Sequence, residues 1–347
     1  MTAPSAAAAL PTVPVPSCPL CGSGERRLLG ERPDTLVPEL NRWLPPGTPP
    51  LPAPVNRLVA CAGCGHVYLD PRLAPGALAR VYDLWYRHAY PALWGDDAAL
   101  AERRREFRRY HLGALTGFAA KPGTLLDVGC GIGLFVDVAA RAGWRPVGLD
   151  FDEAAVAFGR RRFAADLRVG HLADFDPGAR FDAVTLFDYL EHSEAPRDDL
   201  AAAAARLAPG GLLVVRVPNR AGWQARAMGA DWLAVICNHL NYFDGPGLRR
   251  ALAEQGLDVL RVAAGNCQTE ADIVRRRLRW LRRRLAGRGA PLSAAAGAEA
   301  SGLAAGRAGA AGALGRIARS LWIEQVDQVG GWFGRGNNLF AVARRPA

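Results

Sequence analysis

The chain has 347 residues, half of them hydrophobic, with a formal net charge of +10. That is enough for one large α/β domain with a sizeable core and smaller appendages, and the absence of any long apolar run excludes a membrane-spanning helix. The basic excess is almost all arginine in a chain rich in Ala, Gly and Pro, so it speaks for compositional bias as much as for a polyanionic partner.

Residues 1–16 are small, Pro-rich and lack a basic start. They read as a disordered tail rather than a signal peptide, which places the chain in the cytoplasm. Seven cysteines do not fit a disulfide framework in a chain this long. Four of them form two Cys-x-x-Cys-Gly pairs, Cys18 with Cys21 and Cys61 with Cys64. Each pair reads as a knuckle whose tight turn aims two thiolates at one point, and two knuckles offer the tetrahedral sulfur set that structural zinc prefers. Four thiolates leave no open position, so this zinc would be structural. A thiol pair of a reducing compartment and unrelated buried cysteines remain as other readings. His66 is an alternative ligand, though Cys64 is better placed in the knuckle. The module spans 17–75, its Pro-rich middle looping out and VYLDPR (Val67–Arg72) forming its exit. Cys130, Cys237 and Cys267 are unpaired by spacing and read as core residues.

Residues 76–118 look like a helical linker or cap carrying Tyr82, Trp85, Tyr86, Trp94, Phe107 and Tyr110. The basic run Arg103–Tyr110 within it reads as a solvated helix face with one edge on the main domain.

From residue 119 to 265 strands and helices alternate. Strands are expected at 124–128, 145–149, 166–169, 181–187, 211–217 and near 257–262, with helices at 132–142, 153–163, 196–207 and 245–254. Such alternation demands a parallel sheet covered by helices on both faces. Its first turn is the most telling segment. A strand ends at Asp127, glycines follow at 129, 131 and 133, and a second strand ends at Asp150. Glycine admits positive φ and close contact with another molecule. A dinucleotide fingerprint would need its third glycine at position 134, which is Leu134, and a P-loop needs a lysine where the chain's one lysine is Lys121. Phosphate cradling is therefore a poor fit.

Residues 266–334 interrupt the alternation. Between 271 and 286, Ile273, Val274, Leu278, Leu281 and Leu285 fall at helical spacing among arginines. Such a basic amphipathic helix suits peripheral contact with an anionic membrane, a neighbouring subunit or its own domain. An Ala/Gly-rich stretch follows and reads as flexible. Residues 335–347 return as a closing strand of the core. No pattern selects an oligomeric state.

The D-x-G-x-G-x-G loop, the acid at Asp150, the FDAVTLFDYLEH strand end and the PGGLLVVRVPN strand together resemble the class I S-adenosylmethionine (SAM) methyltransferases. With the double CxxCG module, the chain is similar to a bacterial group found with polysaccharide, sugar and natural-product synthesis. A second zinc-bearing group modifies ribosomal RNA, but its zinc module differs in spacing and uses a histidine, so the match is poorer.

The resemblance implies an α/β fold: a doubly wound, mostly parallel seven-stranded sheet, Rossmann-like, with the zinc module at its N-terminus and a helical insertion near its C-terminus. It implies that Asp127, Gly129, Gly131 and Gly133 face the methionine part of SAM. Asp150 would hold the ribose through two hydrogen bonds to a diol, and Leu172 and Asp174 would frame adenine, with Phe151 and Asp188 completing the set. The HLAD spacing departs from the commoner Gly-Asp pattern, which makes Asp174 a less regular match.

The reaction implied is methyl transfer by in-line displacement to a small-molecule or saccharide acceptor, without nucleic acid. His192, His239 and Tyr242 are the candidates for proton removal. Two other readings stand beside it: an RNA methyltransferase clamping the backbone with arginines, and a non-catalytic scaffold of the same fold.

Overall fold

Pro-rich composition at the N-terminus conceals a short strand. In a computed structural model of the chain, which describes residues 9–44, 46–86, 97–265 and 336–347, β1 (Thr12–Val13) pairs antiparallel with β5 (Arg72–Leu73). Leu10 and Val15 are buried, and the Val15 N–H donates to Asp70 Oδ1 at 2.8 Å. The expected tail through residue 16 is corrected for its second half: the partner that orders it lies far along the chain. Residues 1–8 lie outside the described residues.

Between these strands come β2 (Arg26–Pro33), α1 (Leu36–Leu40), β3 (Val55–Cys61) and β4 (Val67–Leu69). The three longer strands form an antiparallel sheet. Asp34 closes the turn after β2: its Oδ1 accepts from the Val37 N–H at 2.7 Å and its Oδ2 from Asn56 Nδ2 at 2.9 Å. The chain leaves through α2 (Pro75–Leu84), α3 (Asp97–Phe107) and α4 (Gly113–Thr116), a π-helical turn at Arg108–Leu112 joining the last two. Trp94 lies outside the described residues.

The core then alternates as its sequence predicts: β6 (Thr124–Val128), α5 (Leu134–Ala140), β7 (Arg145–Asp150), α6 (Glu153–Phe163), β8 (Leu167–Val169), β9 (Phe181–Phe187), α7 (Pro196–Ala205) and β10 (Leu207–Pro218). Local chemistry sets several of these bounds. Asp152 caps α6 by accepting from the Ala155 N–H at 2.7 Å, and Pro196 opens α7 where its missing N–H costs nothing. After α8 (Trp223–Met228) the chain forms β11 (Asn241–Tyr242), α9 (Gly245–Ala253), β12 (Asp258–Ala264) and finally β13 (Asn338–Arg344). The insertion expected at 266–334, with the helix expected at 271–286, lies outside the described residues.

Seven strands form one sheet in the order β12-β13-β10-β9-β6-β7-β8. The pairings β10–β9, β9–β6, β6–β7 and β7–β8 are parallel, and β13 runs antiparallel between β10 and β12. This is the doubly wound, mostly parallel Rossmann-like sheet of the class I methyltransferase fold. Its central strands are apolar on both faces because helices cover both. Leu126, Val184 and Val215 pack against Leu200 of α7 and Leu248 of α9 on one side. Leu125, Ala183 and Val214 pack against Phe135 of α5 and Leu115 of α4 on the other. From β6 the chain winds first toward β8 and then, from β9, the opposite way. That reversal opens a crevice at the carboxyl edge between β6 and β9, where open α/β sheets bind ligands.

The core also reaches into the N-terminal sheet. β11 pairs antiparallel with β4, so that sheet runs β11-β4-β3-β2. Arg32 reinforces the junction by donating to the carbonyls of Asp231 at 2.7 Å and Trp232 at 2.8 Å. Among the described residues no helix is long and apolar enough to cross a membrane.

Candidate active site

Gly129, Gly131 and Gly133 all adopt positive φ, at 73°, 53° and 78°. They carry the chain from the end of β6 over the crevice and into α5. A Cβ at Gly129 would lie 2.7 Å from Tyr189 Cδ2, and one at Gly133 would lie 2.6 Å from Leu167 Cδ2. The bend thus has no room for a side chain at Gly129 or Gly133.

Two carboxylates support the loop. Asp150, at the end of β7 and only 4% exposed, accepts from the Gly131 N–H at 2.7 Å through Oδ2 and from the Asp152 N–H at 2.9 Å through Oδ1. Burial raises its pKa above the ordinary carboxylate value, against the pull of those two N–H groups. Each oxygen keeps a second lone pair for a donor from outside. Asp127, at the end of β6, accepts from the Thr185 hydroxyl at 2.6 Å. Burial pushes it up to about 7, opposed by that hydrogen bond.

Phe151 follows Asp150 and is 43% exposed. Its ring lies parallel to His171 with centroids 5.9 Å apart, and Tyr82 of α2 meets it edge-on at 5.3 Å. Leu172 is buried at the start of a 3-10 turn, Leu172–Asp174, while Asp174 is exposed at its end. The aromatic wall from Tyr82 was not assigned to the site by sequence. Its signal was only the run of rings Tyr82, Trp85 and Tyr86 at the end of α2 and just beyond it.

The loop after β9 supplies the opposite lip. Asp188 takes a left-handed conformation with φ 53°, and its carboxylate pairs with Arg216. The segment beyond it is fastened to the stretch before β11. The Glu191 carbonyl accepts from the N–H groups of Leu240 at 2.5 Å and Asn241 at 3.1 Å. Asn241 Nδ2 donates to the carbonyls of Leu190 at 3.1 Å and Ser193 at 2.7 Å.

This clamp brings His192 and His239 together, their ring centroids 4.8 Å apart at 81°. His192 Nδ1 is 2.8 Å from the Asn238 carbonyl and 3.3 Å from the Tyr82 hydroxyl, and His239 Nδ1 is 3.0 Å from the Ala234 carbonyl. The carbonyl contacts place a proton on Nδ1 of each ring. Burial lowers the His192 pKa to about 4 and takes His239 well below its usual value.

Both histidines lie in this clamp, where burial holds each below the ordinary histidine value. Tyr242 departs further from expectation. It is buried with Leu58, Val67 and Trp232 in the junction with the N-terminal sheet. Burial raises its phenol well above the ordinary value. It packs the junction rather than lining the histidine pair. Sequence reading also missed Glu191, Asn241 and Thr185, each an ordinary polar residue until a distant segment buries it.

The four knuckle cysteines converge at the edge of the N-terminal sheet. Their sulfurs all lie within 4.8 Å of one another, with Cys18–Cys64 at 3.6 Å and Cys21–Cys61 at 3.5 Å. Four sulfurs bound to one tetrahedral zinc at ~2.3 Å stand about 3.8 Å apart, so the set has the right span. Both knuckles close alike: the Gly22 N–H donates to the Cys18 carbonyl at 2.9 Å and the Gly65 N–H to the Cys61 carbonyl at 3.0 Å. Burial pushes the Cys18 thiol up to about 11 and Cys64 further still, so a cation must share the charge for all four to act as thiolates. His66 is not among them. Its Nε2 lies 3.1 Å from Asn241 Oδ1, which ties the module to the clamp just described. Cys237 is buried and donates its N–H to Asp34 Oδ2 at 2.7 Å, and Cys130 is half-buried beside the loop. Cys267 lies outside the described residues.

Comparison with known proteins gives this crevice a context. Residues 100–262, just under half of the chain, match the family model described as a methyltransferase domain. A probable S-adenosylmethionine-dependent methyltransferase from Mycolicibacterium smegmatis is 39% identical over 98 residues, covering 28% of this chain and 38% of that protein. A ubiquinone biosynthesis O-methyltransferase from Paramagnetospirillum magneticum is 33% identical over 152 residues, covering 40% of this chain and 61% of that protein. The chain therefore spans only part of the length of the curated relatives it matches. Among solved structures, phosphoethanolamine N-methyltransferase 2 from Haemonchus contortus, in complex with S-adenosyl-L-methionine, aligns at TM-score 0.49 and 15% identity. That alignment covers 81% of this chain and 63% of the other.

Proposed function

We propose that the methyltransferase domain at 100–262 is catalytically active and transfers a methyl group from SAM to a small-molecule acceptor, the chain working as an enzyme of the class I type. The observation that carries this reading is the pairing of three positive-φ glycines, Gly129, Gly131 and Gly133, with the Asp150 carboxylate at the sheet's carboxyl edge. The residues fit SAM. The ligand carries no phosphate, so it needs backbone contact and acidic partners rather than an anion cradle. The glycine loop offers the first, and Asp127 and Asp150 the second. Phe151 and His171 offer apolar faces to a purine, with Leu172 beneath.

SAM supplies a methyl on a sulfonium whose thioether leaves readily. The protein's share of the work is chiefly alignment. Gly129, Gly131 and Gly133 would hold the methionine part, Asp150 would hold the ribose, and Asp127 would orient the loop or the ammonium. Tyr82 walls the crevice beside Phe151. His192 is neutral across the physiological range, so it can accept a hydrogen bond from an acceptor group, although its low basicity limits it as a base.

A small acceptor is preferred over RNA because several arginines that could grip a phosphate backbone are engaged by acids of the chain itself. Arg26 with Asp70, Arg57 with Glu31, Arg72 with Glu194, and both Arg104 and Arg141 with Asp137 form ion pairs. The sugar or saccharide class implied by the double CxxCG module remains our reading of the acceptor. In the same reading, Cys18, Cys21, Cys61 and Cys64 hold a structural zinc.

Titration calorimetry of the full chain with SAM and with S-adenosylhomocysteine tests the proposal. Saturable binding of both, with label from methyl-labelled SAM moving to a hydroxylated small molecule or sugar nucleotide, is the expected result. Folded protein that binds neither would overturn it, and transfer confined to RNA would replace the acceptor class.

A further inference from the structure

Glu191 and His239 have no part in the methyl transfer proposed above, yet with His192 they form one group. Glu191 is 2% exposed, and among the described residues its Oε2 has no hydrogen-bond partner. Leaving a buried carboxylate oxygen unpaired is costly, and such groups are rare unless something else completes them. One ring nitrogen from each histidine and one carboxylate oxygen of Glu191 all lie within 4.8 Å of one another.

The histidines are set up as metal ligands usually are. Each holds Nδ1 against a backbone carbonyl, Asn238 at 2.8 Å and Ala234 at 3.0 Å, which leaves the Nε2 lone pair for a cation. Outer hydrogen bonds of this kind fix tautomer and ring orientation in metal sites. The backbone beneath is equally fixed, because Leu240 and Asn241 tie the Glu191 carbonyl to the segment that carries His239.

We infer that Glu191, His192 and His239 bind one divalent transition-metal cation beside the cofactor crevice. Ions bound at ~2.0–2.2 Å hold their donors roughly 3–4 Å apart, so small side-chain rotations complete the set. One carboxylate and two imidazoles leave coordination positions open, as in catalytic rather than closed structural sites. The site adjoins the crevice through a single ring. Tyr82 lies 6.3 Å from His192 and 5.3 Å from Phe151, centroid to centroid. The open positions therefore suit an oxygen donor of the acceptor, a hydroxyl or carboxylate, and the acceptor part of this inference rests on the proposed function above.

The mixed oxygen and nitrogen set differs from the four-sulfur group, which makes the two separable. Mn2+ favours oxygen and nitrogen donors over thiolates. We would titrate the full chain, with its cysteines zinc-loaded, with MnCl2 and follow the free ion by electron paramagnetic resonance. The expected result is one bound Mn2+ per chain, with affinity reduced at least ten-fold in both Glu191→Gln and His239→Gln. Circular dichroism melting would verify that each variant folds, and an anomalous peak among the three side chains in Mn2+-soaked crystals would place the ion. Absence of uptake would overturn the inference. So would uptake unchanged in both folded variants, or uptake lost only on replacing Cys21. SAM titration of the same samples reads the methyltransferase proposal separately: a protein that binds SAM and no Mn2+ loses the metal site alone, and one that binds Mn2+ and no SAM loses the enzyme reading alone.

Discussion

Asp150 Oδ2 accepts a hydrogen bond of 2.7 Å from the Gly131 N–H, so the carboxylate proposed to grip the ribose also holds the bend that faces it. Loop shape and sugar contact are thereby coupled. Asp150→Ala removes both, and charged hydrogen bonds are worth about 1.5–3 kcal/mol each. SAM affinity is expected to fall at least ~100-fold, each factor of ten being about 1.4 kcal/mol. Asp150→Asn keeps one acceptor oxygen and is expected to lose less. Calorimetric dissociation constants for the two variants check the order.

SAM affinity is expected to depend on pH through Asp127. Burial holds its folded pKa near 7, well above that of the unfolded chain. A nearby ammonium favours the ionised form, so affinity should rise from pH 6 to pH 8 and level off above. The stability linkage has the opposite sign. The folded state keeps a proton that the unfolded state gives up, so Asp127's contribution is greatest below about pH 4 and is lost as pH rises toward 7. Asp127→Asn should flatten both profiles, as read by titration and by urea denaturation at matched pH.

Gly159→Ala should destabilise the protein although it raises helix propensity. In an exposed helix the change would gain ~1 kcal/mol. Here a Cβ would lie 2.1 Å from the Ile132 carbonyl oxygen and 2.6 Å from Leu167 Cδ1, and backbone cannot yield cheaply. A loss of roughly 1–3 kcal/mol, the range for overpacking, is expected, measurable as a lowered melting temperature. A variant at least as stable as the parent would show that α6 is free to shift.

Removing the zinc proposed at the cysteine group should weaken the whole molecule rather than release a separate lobe. Arg250 of α9 donates to the Cys64 carbonyl at 2.6 Å, and β11 completes the module's sheet. Cys21→Ser is expected to lower bound zinc from one equivalent to none and to shift a single calorimetric transition downward by at least ~5 °C. Two resolved transitions would argue against this coupling.

Catalysis should show no acid limb near the ordinary histidine value. With His192 held to about 4, the rate at saturating SAM should not fall between pH 8 and pH 6 on that residue's account. A steady-state pH profile of the parent and of His192→Gln checks it. A limb near 6.5 that disappears in the variant would return His192 to the role of a general base.

Local signals carried most of the core. The helix at Glu153–Phe163 and the strand at Phe181–Phe187 stand where the sequence set them, because Asp152 caps one and a Pro-Gly turn precedes the other. The glycine bend was legible for the same reason: positive φ restricts residue choice at the position itself. What escaped was built from distance. Thr12–Val13 is a strand only because Arg72–Leu73 lies beside it, and Tyr242 leaves the crevice because Val67 pairs with it. Glu191 reads as a polar strand end in DYLEH, and only Leu240 and Asn241 turn its surroundings into an interior. Burial made by segments far apart leaves no local trace in composition or period.

The loan of β11 to the N-terminal sheet has a practical corollary for anyone shortening the gene. A product begun at the methyltransferase domain would expose Asn241–Tyr242 as an unmatched ribbon edge beside bare Trp232, a surface apt for self-association. The cysteine-bearing half, cut loose, would end its sheet at Val67–Leu69 with the same defect. Neither fragment should be read as a miniature of the intact protein.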